Sequence, residues 1–382
     1  MQNTAQQWLV WRLTGSAALL GVFGFASQLP LFCLAWMGGY VGDRYNRHRG
    51  VITTQTVSMV LAFILSALTL THLIKTWHLL LIALLVGIVN AFDVPIRQSF
   101  FVHMVGKDDL PNAIALNSSI FNGARVVGPA IAGFTIALVG EGWCFFLNGF
   151  SFVAVIIALL MMRIPRVESK PVTESPWRSF LEGLRFAMRD TPIRSTLLLL
   201  STLSVFGLQY AVFLPIYATD ILHGDARTLG LLSSAAGIGA LLGALQFAAR
   251  TQYRGLARWV ATAFGACGIA LLVLAFAHSF WLCATVLFVV GFAATSQMAA
   301  TNTVIQQRVP DEMRSRLMAV YATMFMGVQP IGALTAGFIA KHIGAPHTVF
   351  VFGVIILAVC LFFVSQVVLK VKRPSPIPAT TD

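Results

Sequence analysis

Gly123-Ala-Arg125-Val-Val-Gly128-Pro129-Ala-Ile-Ala-Gly133-Phe134 returns further along the chain as Gly327-Val-Gln329-Pro-Ile-Gly332-Ala-Leu-Thr-Ala-Gly337-Phe338, with three glycines and a phenylalanine in register. The register runs outward on both sides. Residues Val86 to Gly149 lie over Val290 to Gly353 at a constant offset of 204 without a gap, adding Gly87/Gly291, Phe121/Phe325, Gly140/Gly344 and Gly149/Gly353, and Trp77/Trp281 extends it upstream. The chain is therefore two copies of one unit. Internal duplication in so apolar a sequence is the pattern of membrane transporters.

The 382 residues are 57% hydrophobic and only 10% charged, too few charges to cover an ordinary soluble domain. Crossing a bilayer core takes about 20 helical residues. Eleven apolar runs meet that length, centred on 17–37, 51–74, 79–98, 113–138, 143–162, 196–221, 229–249, 259–277, 281–301, 317–340 and 348–369. The expected fold class is an all-α membrane protein.

The net charge of +12 follows the connections rather than forming one patch. Of 26 basic residues, 21 fall in alternate loops: Arg44, Arg47 and Arg49; Arg97 and Lys107; seven between Arg163 and Arg194; Arg250, Arg254 and Arg258; Arg308, Arg314 and Arg316; Lys370, Lys372 and Arg373. The positive-inside rule places those loops and the C-terminus in the cytoplasm, and this alternation excludes a nucleic-acid partner as the explanation of the charge. Cys33, Cys144, Cys267, Cys283 and Cys360 are scattered singly in apolar runs, and the eight histidines lie in loops or near helix ends, so spacing builds no metal site. No catalytic constellation supports an enzyme.

The expected organisation is an N-terminal bundle over 1–162, a linker over 163–195, a six-helix bundle over 196–369 and a cytoplasmic tail over 370–382. Within the linker, Ser175 and Pro176 read as a helix start, followed at helical spacing by Trp177, Phe180, Leu181, Leu184 and Met188; a short helix lying on the membrane surface is expected. Subtracting 204 from the span 196–221 projects its counterpart onto about −8 to 17, so that much of it would precede Met1. Residues 1–13, which carry Gln2, Asn3, Gln6 and Gln7, then read as the outer half of a truncated first helix.

The loop after the first full run reads Gly39-Tyr-Val-Gly-Asp43-Arg44-Tyr-Asn46-Arg47-His48-Arg49. It resembles the signature loop between helices 2 and 3 of the major facilitator superfamily, with Asn46 in place of a glycine, a residue type that tolerates a left-handed turn. Gly123, Gly128, Pro129 and Gly133 resemble the helix-bending glycine-proline motif of proton-coupled antiporters, with the last glycine one residue further on. With the run from Asp108 to Phe134, the chain is similar over nearly its whole length to a bacterial efflux subgroup that includes enterobactin and macrolide exporters. The resemblance implies two pseudo-symmetric six-helix bundles around a central cavity, proton antiport, no cofactor beyond the proton gradient, a small-molecule substrate, a lipid environment and a monomer in the bacterial inner membrane. It also implies that Asp43 and Arg47, with Gly39 and Arg44, close a cytoplasmic gate.

Asp93 is the acid set well inside a hydrophobic run, a costly position unless paired, and Arg47 or Arg97 is the expected partner. A gating ion pair, a proton-coupling carboxylate and a local helix-end bridge are all compatible with it. Arg125 stands twelve residues beyond Ala113, about 18 Å into the bilayer at 1.5 Å per residue. At that depth it either binds an anionic or carbonyl-bearing ligand or makes structural hydrogen bonds, and its repeat partner is Gln329. Asn122, Asn90, Gln28 and Gln209 are further cavity candidates, alongside Asn148, Tyr210 and Gln297. Gly237, Gly239 and Gly243 read as helix packing. Export of a small amphipathic drug or siderophore is the leading expectation; import, lipid transport or an inactive product are the alternatives.

Overall fold

The computed structural model describes residues 1–44, 46–105, 109–162, 176–249 and 255–365; the segment 163–175 and the tail 370–382 lie outside them, as do Lys107, Asp108, Arg250 and Arg254. Among the described residues there are helices and no strand. They run α1 Gln2–Thr14, α2 Ala17–Arg44, α3 Arg47–Leu70, α4 Thr76–Val105, α5 Leu110–Val139, α6 Glu141–Met161, α7 Pro176–Arg189, α8 Thr191–Thr202, α9 Tyr210–Ile216, α10 Ala226–Ala248, α11 Leu256–Ala275, α12 Phe280–Arg308, α13 Asp311–Ala322, α14 Gln329–Ile343 and α15 Ala345–Phe363. Wide π turns over Leu203–Gly207 and Tyr217–Ile221 join α8 and α9 into one span, and another over Thr323–Gly327 joins α13 to α14. Eleven spans are long and apolar enough to cross a membrane, as the hydrophobic runs predict. α1, with 13 residues, is too short to cross alone.

Local chemistry explains where the helices begin and turn. Asp190 caps α8 by accepting from Ile193 N at 2.9 Å, and Asp225 caps α10 by accepting from Arg227 N at 2.9 Å. Gly140 and Gly344, repeat partners, join α5 to α6 and α14 to α15 with φ of 88° and 83°, a region that penalises any side chain. Asn46 does not adopt the left-handed conformation expected of it. Its φ is −63°, and Oδ1 accepts from Arg49 N at 3.2 Å, so the residue serves as the N-cap of α3.

The repeat is visible in the packing. A methyl group on Gly21 would sit 2.7 Å from the Gly337 Cα, and one on Gly133 would sit 3.0 Å from the Gly230 Cα. Thus α2 crosses α14, and α10 crosses α5, backbone against backbone. A methyl group on Gly87 would likewise sit 2.6 Å from Ser27 O while its partner Gly291 faces Ala236 O, and Gly149 abuts Phe63 where Gly353 abuts Leu272. These partners fix a second register. Gly21 with Gly230, Ser27 with Ala236 and Phe63 with Leu272 are each 209 apart, so the offset of 204 holds from α4 onward and not for α2 and α3. The first copy carries five extra residues between Phe63 and Gly87. The backward projection by 204 therefore used the wrong register.

Apolar side chains divide between a buried core, including Phe23, Leu65, Phe145, Phe213, Phe264 and Phe352, and an outer surface where Leu138, Phe150, Leu160 and Leu361 are exposed to the lipid. The linker helix departs from expectation. Its apolar residues Phe180, Leu184 and Ala187 pack against Leu317 and Val320 of α13, and Gly183 permits the close approach, since a methyl group there would sit 2.7 Å from Arg316 O. Glu182 also pairs with Arg316. Two residues of the expected stripe, Phe180 and Leu184, are thus covered by protein, because α13 offers a matching apolar face, while Met188 stays exposed and the side chain of Trp177 lies outside the described residues.

Candidate functional site

Immediately beyond the Gly21–Gly337 crossing, a cavity of about 700 Å³ lies between the two copies. Its polar wall comes from α1 (Gln2, Asn3, Gln6, Gln7), α2 (Ser27, Gln28), α4 (Asn90), α5 (Arg125), α6 (Asn148), α9 with the turn before it (Gln209, Tyr210) and α14 (Gln329). Arg125 is the one charged side chain among the lining residues, and none of them is an acid. The volume is that of pockets that hold drug-sized molecules.

Arg125 and Gln329, partners in the repeat, both reach this wall, as do Gln28, Asn90 and Gln209. Asn122, one turn before Arg125, does not line it. Gln209 is bound to the backbone: its Nε2 donates to Ser204 O at 2.7 Å and, at 3.5 Å, to Gln329 O, while the Ser204 hydroxyl donates to Phe325 O. Two π turns face each other here, and the side chains satisfy carbonyls that the widened turns release. The α1 amides are the residues missed as site candidates. Positions 2, 3, 6 and 7 fall on one helical face, which is a signal for a shared surface. Asn148 Nδ2 donates to Gln2 Oε1 at 2.6 Å, and the buried Nε2 atoms of Gln2 and Gln6 have no hydrogen-bond partner.

The glycine-proline stretch of α5 lies along α10. Ser234 donates to Val126 O at 2.7 Å, Gly230 faces Pro129 O, Gly237 faces Arg125 O, and Gly133 closes on Ala226 O. Gly123 has open space around it and Gly128 faces the start of α1, so one of the three glycines makes the close crossing. Gly239 and Gly243 pack against Phe288 O and Phe292 O of α12, which fits their reading as packing residues.

Asp93 sits on α4, 5% exposed, in a compact network. Its Oδ1 accepts from Thr54 Oγ1 at 2.7 Å and Gln55 Nε2 at 2.9 Å, both on α3, and its Oδ2 accepts from Arg97 Nε at 3.0 Å. The i, i+4 pair joins Asp93 to an arginine on its own helix, while Thr54 and Gln55 tie the carboxylate to the neighbouring one. Arg47 opens α3 one residue after its cap. His48 of the same loop contacts Leu159 O at 2.7 Å through Nε2 and stacks on Phe100, fastening α3 to α6. Gly39, Asp43 and Arg44 lie in the last turns of α2, but their side chains are outside the described set. At the opposite helix ends, Arg12 pairs with Glu141 at 2.9 Å, and Trp11 Nε1 donates to Thr219 Oγ1 at 2.8 Å across the two copies.

A duplicated bundle of spanning helices around a cavity with a polar wall defines a membrane transporter rather than an enzyme. Comparison with known proteins agrees. The chain belongs to the transmembrane secretion effector family, whose model matches residues 1–379. It is 26% identical to the multidrug efflux pump Tap of Mycolicibacterium fortuitum, over 89% of this chain and 85% of that one. It is also 26% identical to the enterobactin exporter EntS of Citrobacter koseri, over 98% and 87% respectively. Among solved structures, a variant of the nucleoside transporter NupG superposes with a TM-score of 0.74 at 14% identity, covering 95% of this chain and 94% of its own, which establishes the major facilitator fold.

Proposed function

We propose that the chain is a secondary active exporter that moves a small amphipathic molecule, of the drug or siderophore kind, out across the bacterial inner membrane in exchange for protons. The observation that carries this reading is the acid-free polar cavity lying directly past the Gly21–Gly337 crossing, in a chain whose relatives include a multidrug pump and an enterobactin exporter. Alternating access would open the cavity first to one side and then to the other, with the glycine crossings as its pivots. The Asp93 network, with Asp43 and Arg44 at the end of α2 and Arg47 at the start of α3, would hold the cytoplasmic gate, placing the loops rich in arginine and the C-terminus inside the cell.

The test is drug and siderophore accumulation in cells that express the protein, its Asp93→Asn variant or neither. Lower accumulation with the parent protein, restored by Asp93→Asn and by collapse of the proton gradient, is expected. Equal accumulation in all three strains across chemically varied substrates counts against export. Reversal of the sign, with uptake in energised cells, would instead establish an importer on the same fold.

A further inference from the structure

We propose that the central cavity is an anion site, built for a ligand with clustered carboxylate or similar oxygen acceptors, and that it excludes lipophilic cations. The proposal rests on the transport reading for its biological meaning but on the cavity wall for its chemistry. Arg125 supplies the single charged side chain of that wall, and its planar guanidinium presents paired donors to an oxyanion. Among the described lining residues there is no carboxylate to neutralise a cation, which would instead meet the like charge of Arg125.

The neutral polar groups point the same way. Gln6 is 4% exposed, lines the cavity and keeps an Nε2 with no acceptor. Gln2 is half-buried, lines the same cavity and also has an Nε2 with no acceptor, while its Oε1 accepts from Asn148 Nδ2. A buried amide donor without an acceptor is unusual, and rotation of the side chain toward the cavity would let a bound molecule that brings oxygen satisfy it. Gln2 and Gln6, on adjacent turns of α1, and Arg125 on α5 thus bring amide and guanidinium groups from two helices to one cavity wall. The volume of about 700 Å³ accommodates a multidentate ligand rather than a single small ion.

The experiment uses the full chain in nanodiscs of phosphatidylcholine, with radiolabelled citrate as the polycarboxylate probe and radiolabelled tetraphenylphosphonium as the cation probe. Citrate is expected to bind saturably, and tetraphenylphosphonium is expected neither to saturate nor to displace it. Arg125→Gln should weaken citrate about tenfold or more, the usual loss for a charged hydrogen-bonding partner. Arg125→Lys should recover part of that loss. Gln6→Met, which removes an unpaired polar group without changing volume much, should weaken citrate severalfold while leaving thermal stability unchanged or higher. Including phosphatidylglycerol in the discs separates two sources of the same chemistry: competition with citrate assigns the site to lipid headgroups, and its absence to a free solute. Lack of saturable citrate binding, unchanged affinity in both Arg125→Gln and Gln6→Met, or saturable tetraphenylphosphonium displaced by citrate overturns the proposal. Arg125-dependent citrate binding in a protein that moves no solute in proteoliposomes leaves the anion site standing and sinks only the export reading.

Discussion

Asp93 illustrates how much a single buried carboxylate constrains its neighbours. Thr54, Gln55 and Arg97 all converge on its two oxygens, so removing the charge while keeping the shape is more informative than deletion. Asp93→Asn keeps an oxygen for Thr54 but weakens the charged bonds to Gln55 and Arg97, at a cost of about 1–3 kcal/mol. A lowered melting temperature in detergent, matched by Arg97→Gln and not additive with it, is the expected result; full additivity would show that the two residues act separately. The sequence makes Asp93 conspicuous because acids inside apolar runs are expensive, and Arg97 follows from its spacing on one helix. Thr54 and Gln55 were not legible, since the contact between α3 and α4 depends on tertiary packing. Asn46 shows the opposite limit: its residue type permits both a left-handed turn and a helix cap, and only the backbone distinguishes them.

At the level of helices, the glycine crossings yield a sharper contrast. Alanine at Gly133 or Gly337 would place a methyl group against the carbonyl of Ala226 or Ala17, where backbone must move, and overpacking of this kind costs about 1–3 kcal/mol. Gly123, in the same repeated stretch, has nothing within 4 Å of the added methyl group. Thermal unfolding of the three single alanine variants should therefore show two destabilised proteins and one near the parent. Equal behaviour of all three would mean the crossings tolerate separation. The glycine repeat from α4 onward was plain in the sequence, as were all eleven spans, because hydrophobic length and an ungapped offset can both be read without knowing how helices pack. The π turns were not, since a single widened turn leaves the apolar pattern of a span almost unaltered. The covering of α7 by α13 was hidden for a related reason: an amphipathic stripe specifies a face to bury and says nothing of whether lipid or protein will bury it.

For the molecule as a whole, the cavity has to be aqueous if polar solutes are to pass. A cysteine at Asn90, in a chain whose exposed Cys33 is replaced by serine, should react with a water-soluble maleimide, because thiolate formation requires water. A cysteine at Phe134, on the outward face of α5 and exposed to lipid, should stay unmodified, and the buried Cys144, Cys267, Cys283 and Cys360 supply a silent background. An unreactive Asn90→Cys beside a reactive Phe134→Cys would place the water on the wrong side of the bundle. The central cavity itself was half legible: the repeat pairs Arg125 with Gln329, but the α1 amides enter only when that helix is seated against α2, α5 and α6. The two crossings also set the mechanical character of the assembly. Where Gly21 meets Gly337 and Gly133 meets Gly230, backbone lies on backbone with no side chain between, so each pair touches there as a smooth bearing rather than a meshed gear. In the proposed alternating access, two such bearings, placed by the same repeat, would define one axle about which the copies tilt.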